Sequence, residues 1–285
     1  MKNYSYTSNF VTIEGISIHY LDEGPMMAPV ILFLHGVPTW SFAFRNIFPD
    51  VVKAGFRVIV PDLPGFGYSD KPSQREFYSA HNLVNIIERF IGAMRITKVC
   101  LFTHDWGAIL GMILVAQHPE LCRGIIVCNG LLPDRDQKLP VAFSLWKIFT
   151  KYSPWLPVGG IVNFASLNRL NRDEREGYNI PFKKHKTKTA LRILPQMIPF
   201  KGLDINLVED SWKKLDNCFT PILTVFSDRD PITRDGENII QGRIPGAKDQ
   251  HHKKVHGGHF LMEDVPAELA GIAIEFFNEL HGNRM

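Results

Sequence analysis

The chain has no apolar run approaching the roughly 18 residues that a membrane-spanning helix needs, so no span is expected and a membrane is not among the expected partners. Behind Met1-Lys-Asn-Tyr-Ser-Tyr there is no apolar stretch of the secretory-leader kind, and a cytoplasmic protein is the resulting expectation. Cysteine is sparse. Cys100, Cys122, Cys128 and Cys218 form no C-x-x-C pair. Three of them lie in or beside apolar strand-like runs, so they read as buried free thiols in a reducing compartment rather than as a disulfide or zinc framework. Charge of one sign is not in excess either. A net charge of +3 is too small for the electrostatic footprint of a nucleic-acid binder. The one basic cluster, Lys183-Lys-His185-Lys-Thr-Lys188, has no interleaved aromatics and reads as a solvated face. Internal repeats and low-complexity segments are absent. What remains is an ordinary globular composition, 285 residues with 45% hydrophobic and 21% charged, enough for one large core or a core with a smaller subdomain.

The apolar pattern has two rhythms. Ile16 to Tyr20 alternates and predicts a half-exposed strand. Val30-Ile-Leu-Phe-Leu-His35 is continuously apolar, as in a strand buried on both faces. Residues 42–54 have helical spacing, Phe56 to Val60 predicts a strand, and 79–94 predicts an amphipathic helix. Val99 to Phe102 and Gly124 to Cys128 are further strands. This alternation through residue 130 predicts an α/β protein with a mostly parallel sheet and crossover helices. From 131 to about 215 no comparable strand occurs, and helix-like pieces are broken by Pro140, Pro154, Pro157, Pro181, Pro195 and Pro199. Strand rhythm returns at Pro221 to Phe226, a short strand covers about 250–256, and a helix begins near Pro266. The economical division is a core over 1–130 and 216–285, interrupted by a helical cap over 131–215, of the kind that excludes water and shapes a pocket.

The most informative segment is Thr103-His104-Asp105-Trp106-Gly107, between an apolar strand and an apolar helix. Small-x-nucleophile-x-small at a strand–turn–helix junction is a nucleophile elbow, where serine is the usual residue. A carboxylate there would give an anhydride in acyl transfer. It can instead displace a leaving group from saturated carbon and form an ester. An aspartate capping the helix that starts at Trp106 is the plainer alternative.

The remaining parts follow in the chain order nucleophile, acid, histidine. Of His251, His252, His256 and His259, the last lies in the glycine-bounded loop Gly257-Gly258-His259-Phe260, where a base can reach over the elbow. The acid comes from Ser227-Asp228-Arg229-Asp230-Pro231. Asp230 lies two residues further into the loop and is favoured over Asp228, which suits a turn cap. In His35-Gly36-Val37-Pro38 the glycine lets backbone approach the site, so the N–H groups of Val37 and Trp106 are the oxyanion-hole candidates. Asp62 to Ser69 is turn chemistry with a structural role.

On the segments His35 to Ser41, Asp62 to Pro72, Thr103 to Gly107 and Gly258 to Phe260, the chain resembles the haloalkane dehalogenases over nearly its whole length. The resemblance implies an α/β-hydrolase fold with helices on both faces of the sheet and a helical cap inserted. It implies two side-chain donors for the departing halide. One is Trp106. Val37 stands where an asparagine donor would, so the second donor comes from the cap, where Trp146 is the candidate and Trp155 the runner-up. Family members without the cap tryptophan place the acid after the strand ending near Cys128. Here that position reads Asn129-Gly130, consistent with Asp230 and the cap-tryptophan subfamily. By the same resemblance Phe143, Ile109, Leu194, Pro195, Ile198 and Ile232 line the pocket, with core packing the alternative for each. Lysines after Pro181-Phe182 replace an acidic residue of the family pattern.

The implied activity is hydrolysis of a haloalkane to alcohol, halide and a proton, with no metal and no organic cofactor, by a monomer or homodimer. The alternative is an epoxide hydrolase using the same aspartate. That activity needs two cap tyrosines, and this cap offers only Tyr152 and Tyr178, with none in Leu191 to Ile198. A dehalogenase-like luciferase and a ligand-sensing receptor are further readings. Val37 argues against the first, and the intact Asp105/Asp230/His259 set against the second.

Overall fold

The structure, a computed structural model, describes residues 6–134, 139–198 and 204–282. The leading residues 1–5 and Pro199, read above, lie outside them. Strands rich in β-branched and aromatic residues build the sheet: β1 Asn9–Ile13, β2 Ile16–Glu23, β3 Val30–Leu34, β4 Arg57–Pro61, β5 Val99–His104, β6 Cys122–Cys128, β7 Ile222–Ser227 and β8 Lys253–Val255. Their order is β1-β2-β4-β3-β5-β6-β7-β8. β1 and β2 add antiparallel at one edge, and every pairing from β4 to β8 is parallel. The helices are α1 Phe48–Lys53, α2 Ala80–Ala93, α3 Trp106–Gln117, α4 Val141–Tyr152, α5 Val158–Ala165, α6 Arg172–Asn179, α7 Thr189–Met197, α8 Ile205–Leu215, α9 Gly236–Arg243, α10 Leu261–Asp264 and α11 Pro266–Gly282.

The continuous apolar runs of β5 and β7 are buried throughout, as a parallel strand covered on both faces requires. α3 is buried from Trp106 to Ala116, which explains why its sequence carries no polar stripe. Residues 42–54 do not form one helix. A 3-10 turn over Ser41–Phe44 is followed by α1, with Pro49 in its first turn, where a fixed φ favours a fresh helix start. The cap stretch contains α4 to α8. Of these, α8 packs on α3 of the core, with Trp212 Nε1 donating to the Pro133 carbonyl at 3.1 Å.

The chain runs from β3 to its neighbour β4 on one side, then crosses to β5 on the other. That reversal opens a crevice at the carboxyl ends of β3 and β5, the general place for a ligand in such sheets.

Candidate active site

Asp105 follows β5 and precedes α3 with φ 51° and ψ −116°, a conformation that costs a non-glycine residue about 1–3 kcal/mol. The surroundings hold it there. Its N–H donates to the Cys128 carbonyl at 3.2 Å, and its carbonyl accepts from Ala108 and Ile109 at 2.9 and 3.2 Å. Two glycines are obligatory for this packing. A Cβ on Gly36 would lie 2.6 Å from Asp105 Oδ2, and one on Gly107 would lie 2.0 Å from the Leu34 carbonyl oxygen. The sharp turn therefore lifts the carboxylate out of the sheet and into the crevice.

The two oxygens of that carboxylate are not equivalent. Oδ2 accepts the Val37 N–H at 2.8 Å, and the Trp106 N–H also bonds the carboxylate. Oδ1 faces His259 Nε2 at 3.9 Å. Burial raises the Asp105 pKa, against the opposing pull of His259 and the two N–H donors.

His259 Nδ1 lies 2.9 Å from Asp230 Oδ2. Burial alone would lower the imidazole pKa, but the Asp230 charge, its hydrogen bond and Asp105 together raise it. Burial likewise works to raise the Asp230 pKa. The His259 charge and hydrogen bonds from His259, Thr233 and the Ile232 N–H outweigh it and bring the carboxyl down to about 2. Asp230 is therefore a carboxylate that fixes the imidazole with Nδ1–H toward itself and Nε2 toward Asp105. Asp228 sits apart and exposed, paired with His256 at 2.9 Å, and receives the Gly257 N–H.

Long-range partners hold the loop that carries His259. Asn129 donates to the Gly258 and His259 carbonyls at 3.1 and 3.0 Å. His104 Nε2 lies 2.9 Å from the His259 carbonyl. Burial and the neighbouring His259 push its pKa down to about 3, so it is neutral with Nε2–H as donor. Asp264 Oδ2 accepts from Gly258 N–H at 2.7 Å, while the cap loop donates Leu167 and Asn168 N–H groups to the same carboxylate. The His259 N–H itself donates to the Ala165 carbonyl at the end of α5. Glycine spacing around His259 signalled a loop, but nothing local signalled these long-range partners.

A cavity of about 770 Å³ opens above Asp105. Its lining is apolar, with Phe143, Trp146 and Phe149 from α4, Ile161 and Phe164 from α5, and Ile232 and Phe260 from the core. Trp106, Trp146, Phe143 and Ile232 are among its lining residues. Ile109, Leu194, Pro195 and Ile198 do not line it; all four are buried, and they belong instead to the core. The reason is layering. α7 lies against α4, with Arg192 and Gln196 bonded to the α4 carbonyls of Thr150 and Lys147, so its apolar face is buried behind the wall rather than in it. Trp155 is 77% exposed and is not in the lining, which leaves Trp146 as the cap indole at the site. Tyr178 is buried, donating to Glu263, and Tyr152 is exposed. Among the described residues no tyrosine lines the cavity. Among the same residues, no group of three or more His, Cys, Asp or Glu side chains could hold a metal ion.

The alpha/beta hydrolase fold model matches residues 29–266. A haloalkane dehalogenase of Mycolicibacterium paratuberculosis is 35% identical over 277 residues, 95% of this chain and 92% of that protein. The chain belongs to the haloalkane dehalogenase family. It is a hydrolase of carbon–halogen bonds, which is the chemistry a carboxylate at the elbow calls for. A second dehalogenase, from Psychrobacter cryohalolentis, is 34% identical and covers 98% of this chain and 95% of its own. The tetrameric haloalkane dehalogenase of Paraglaciecola agarilytica superimposes with a TM-score of 0.86 at 26% identity, covering 95% of this chain and 93% of its own. A more distant relative from Shewanella oneidensis, 28% identical over 96% of this chain and 89% of its own, is a cis-3-alkyl-4-alkyloxetan-2-one decarboxylase. The epoxide hydrolase alternative gains no support.

Proposed function

We propose that this dehalogenase acts on haloalkanes through an Asp105 ester, with His259 and Asp230 completing the triad. The observation that carries the reading is the asymmetry of the Asp105 carboxylate. Oδ2 is held by the Val37 N–H and Oδ1 lies beside the base. Oδ1 attacks the halogen-bearing carbon, the carbon–halogen bond breaks, and halide leaves with the electron pair. Trp106 and Trp146 donate indole N–H groups to it without offering a competing base. His259 Nε2 then takes a proton from water as the water oxygen adds to Cγ. The charge that develops on Oδ2 falls on the Val37 N–H already aimed there, with the Trp106 N–H, which also bonds this carboxylate, as the second donor. Collapse releases the alcohol, restores the carboxylate and sheds one proton overall. The four free, buried cysteines support work in a reducing, cytoplasmic setting.

The test is halide release with parallel acid production from 1-bromobutane, 1,2-dibromoethane and 1-chlorobutane, with styrene oxide as control. Halide from the wild type and none from Asp105→Ala is the expected result. Diol from the epoxide without halide would overturn the reading.

A second reading is favoured by the size and apolar lining of the cavity, which has room for two alkyl chains. It is decarboxylation of a dialkyl oxetan-2-one at the same aspartate, read out as alkene and carbon dioxide.

A further inference from the structure

α4 presents two apolar faces. Phe143 and Trp146 point inward and line the cavity. Val141, Leu145, Ile148, Phe149 and Tyr152 follow at the spacing of one helical stripe, and all five are exposed, Val141 to 77%, Ile148 to 57% and Tyr152 to 69%. Trp155 just beyond the helix and Phe164 of α5 extend the patch, at 77% and 86% exposure. Isolated exposed apolar residues are ordinary, but a contiguous patch of this kind marks an interaction surface. The patch surrounds the mouth of the cavity, because Leu145, Phe149, Phe164 and Leu167 are both exposed at the surface and part of the lining.

One end of the stripe is basic. Arg192 bonds the carbonyls of Thr150 and Ser153 at the end of α4, and one turn before it lies Lys188, the last residue of the run that begins at Lys183. Lys183, Lys184, His185 and Lys186 are exposed, and the Lys151 ammonium sits 4.9 Å over the Tyr152 ring. An aromatic and aliphatic stripe with lysines at its border has the composition of a helix that lies in a membrane interface. No described helix is long and apolar enough to cross a membrane, so the association is adsorption.

We infer that the α4 face docks on an anionic lipid surface and sets the cavity mouth against it. The basic border supplies the charge complementarity, and apolar substrate then passes from lipid to cavity without crossing water. A second copy of the chain seated on this face would cover the mouth through which substrate must enter. A search for membrane-spanning runs does not detect this surface, because α4 carries its apolar residues on faces rather than in one continuous run.

The test is cosedimentation with vesicles of phosphatidylcholine, with and without phosphatidylglycerol, together with light scattering of the protein alone. Ile148 is neither a triad residue nor one of the residues lining the cavity, so Ile148→Glu serves as the probe, with turnover of a water-soluble bromoalkane as its folding control. The wild type is expected to sediment with the anionic vesicles, and Ile148→Glu to bind about tenfold or more weakly. The triple change Lys183→Gln, Lys184→Gln, Lys186→Gln is expected to abolish the preference for anionic vesicles. The wild type remaining in the supernatant with both vesicles would overturn the inference. So would equal sedimentation of wild type and Ile148→Glu. An oligomer that Ile148→Glu dissociates, with no vesicle binding, would assign the patch to self-association instead. The binding readout does not depend on the chemistry at Asp105, so failure of either idea leaves the other standing.

Discussion

The side-chain amide of Asn129 donates to the backbone carbonyl of His259 at 3.0 Å. The same nitrogen reaches the Gly258 carbonyl and Ser227 Oγ, and Asn129 Oδ1 accepts the Ser227 N–H at 2.9 Å. One buried amide therefore joins the ends of β6 and β7 to the loop that carries the base. Asn129→Ala leaves the Gly258 and His259 carbonyls short of a donor and is expected to cost about 1–3 kcal/mol. Asn129→Asp is expected to cost more, since a carboxylate would face two carbonyl oxygens. Urea denaturation midpoints read the stability. A fall in kcat with little change in KM reads the displaced base.

His259→Gln keeps the Asp105 carboxylate and its N–H donors while removing the proton acceptor. The first chemical step is expected to proceed and the second to stop. Mass spectrometry after exposure to 1-bromobutane should find one butyl group on the peptide containing Asp105, with a single burst of bromide and no turnover. Unmodified protein would place the base elsewhere.

Removal of each cap indole separates the two candidates. Trp146→Phe is expected to weaken halide binding and slow halide release from substrate by about tenfold to a hundredfold, as for loss of one preorganised donor. Trp155→Phe is expected to change neither by more than twofold or so, because that ring faces solvent. Bromide titration followed by tryptophan fluorescence gives the first quantity and steady-state bromide release the second.

The pH profile follows from the signs of the shifts. His259 must be neutral to accept a proton from water, and its pKa is raised, so the acid limb of kcat is expected above about pH 6.5, the ordinary imidazole value. In Asp230→Asn the residual activity should have its limb at lower pH. Stability obeys two opposite rules. The Asp230 contribution is present above about pH 4 and is lost as pH falls through about 2. The His259 contribution is complete below about pH 6.5 and is lost as pH rises through the raised value. The pair is therefore worth most between about pH 4 and 6.5, on the order of 2 kcal/mol. Urea midpoints of wild type and Asp230→Asn across that range measure it.

Much of this site was legible in the sequence because its parts are local. The elbow residues around Asp105 are contiguous, the glycines flanking His259 advertise a loop, and Asp230 and Asp228 differ by where the strand ends. The rest depends on layers that periodicity does not encode. Leu194 and Ile198 have the same spacing whether α7 walls the cavity or lies behind α4. Asn129, His104 and Asp264 act through partners up to 155 residues away, and Asn129 drew notice only as a missing acid. β1 escaped notice because its alternation is short, although it pairs with β2 along its whole length.

The bond from His259 N–H to the Ala165 carbonyl, and the Asp264 carboxylate that grips both Gly258 and the Leu167–Asn168 turn, give the cavity one fixed jaw. α5 cannot lift without tearing the base from its seat. The other jaw is α4 with α7 strapped to it through Arg192 and Gln196, and among the described residues neither helix has a hydrogen bond to Asp105, Asp230 or His259. A cap opened by force or ligand is therefore expected to part along α4 first, with the seat of His259 kept intact by α5.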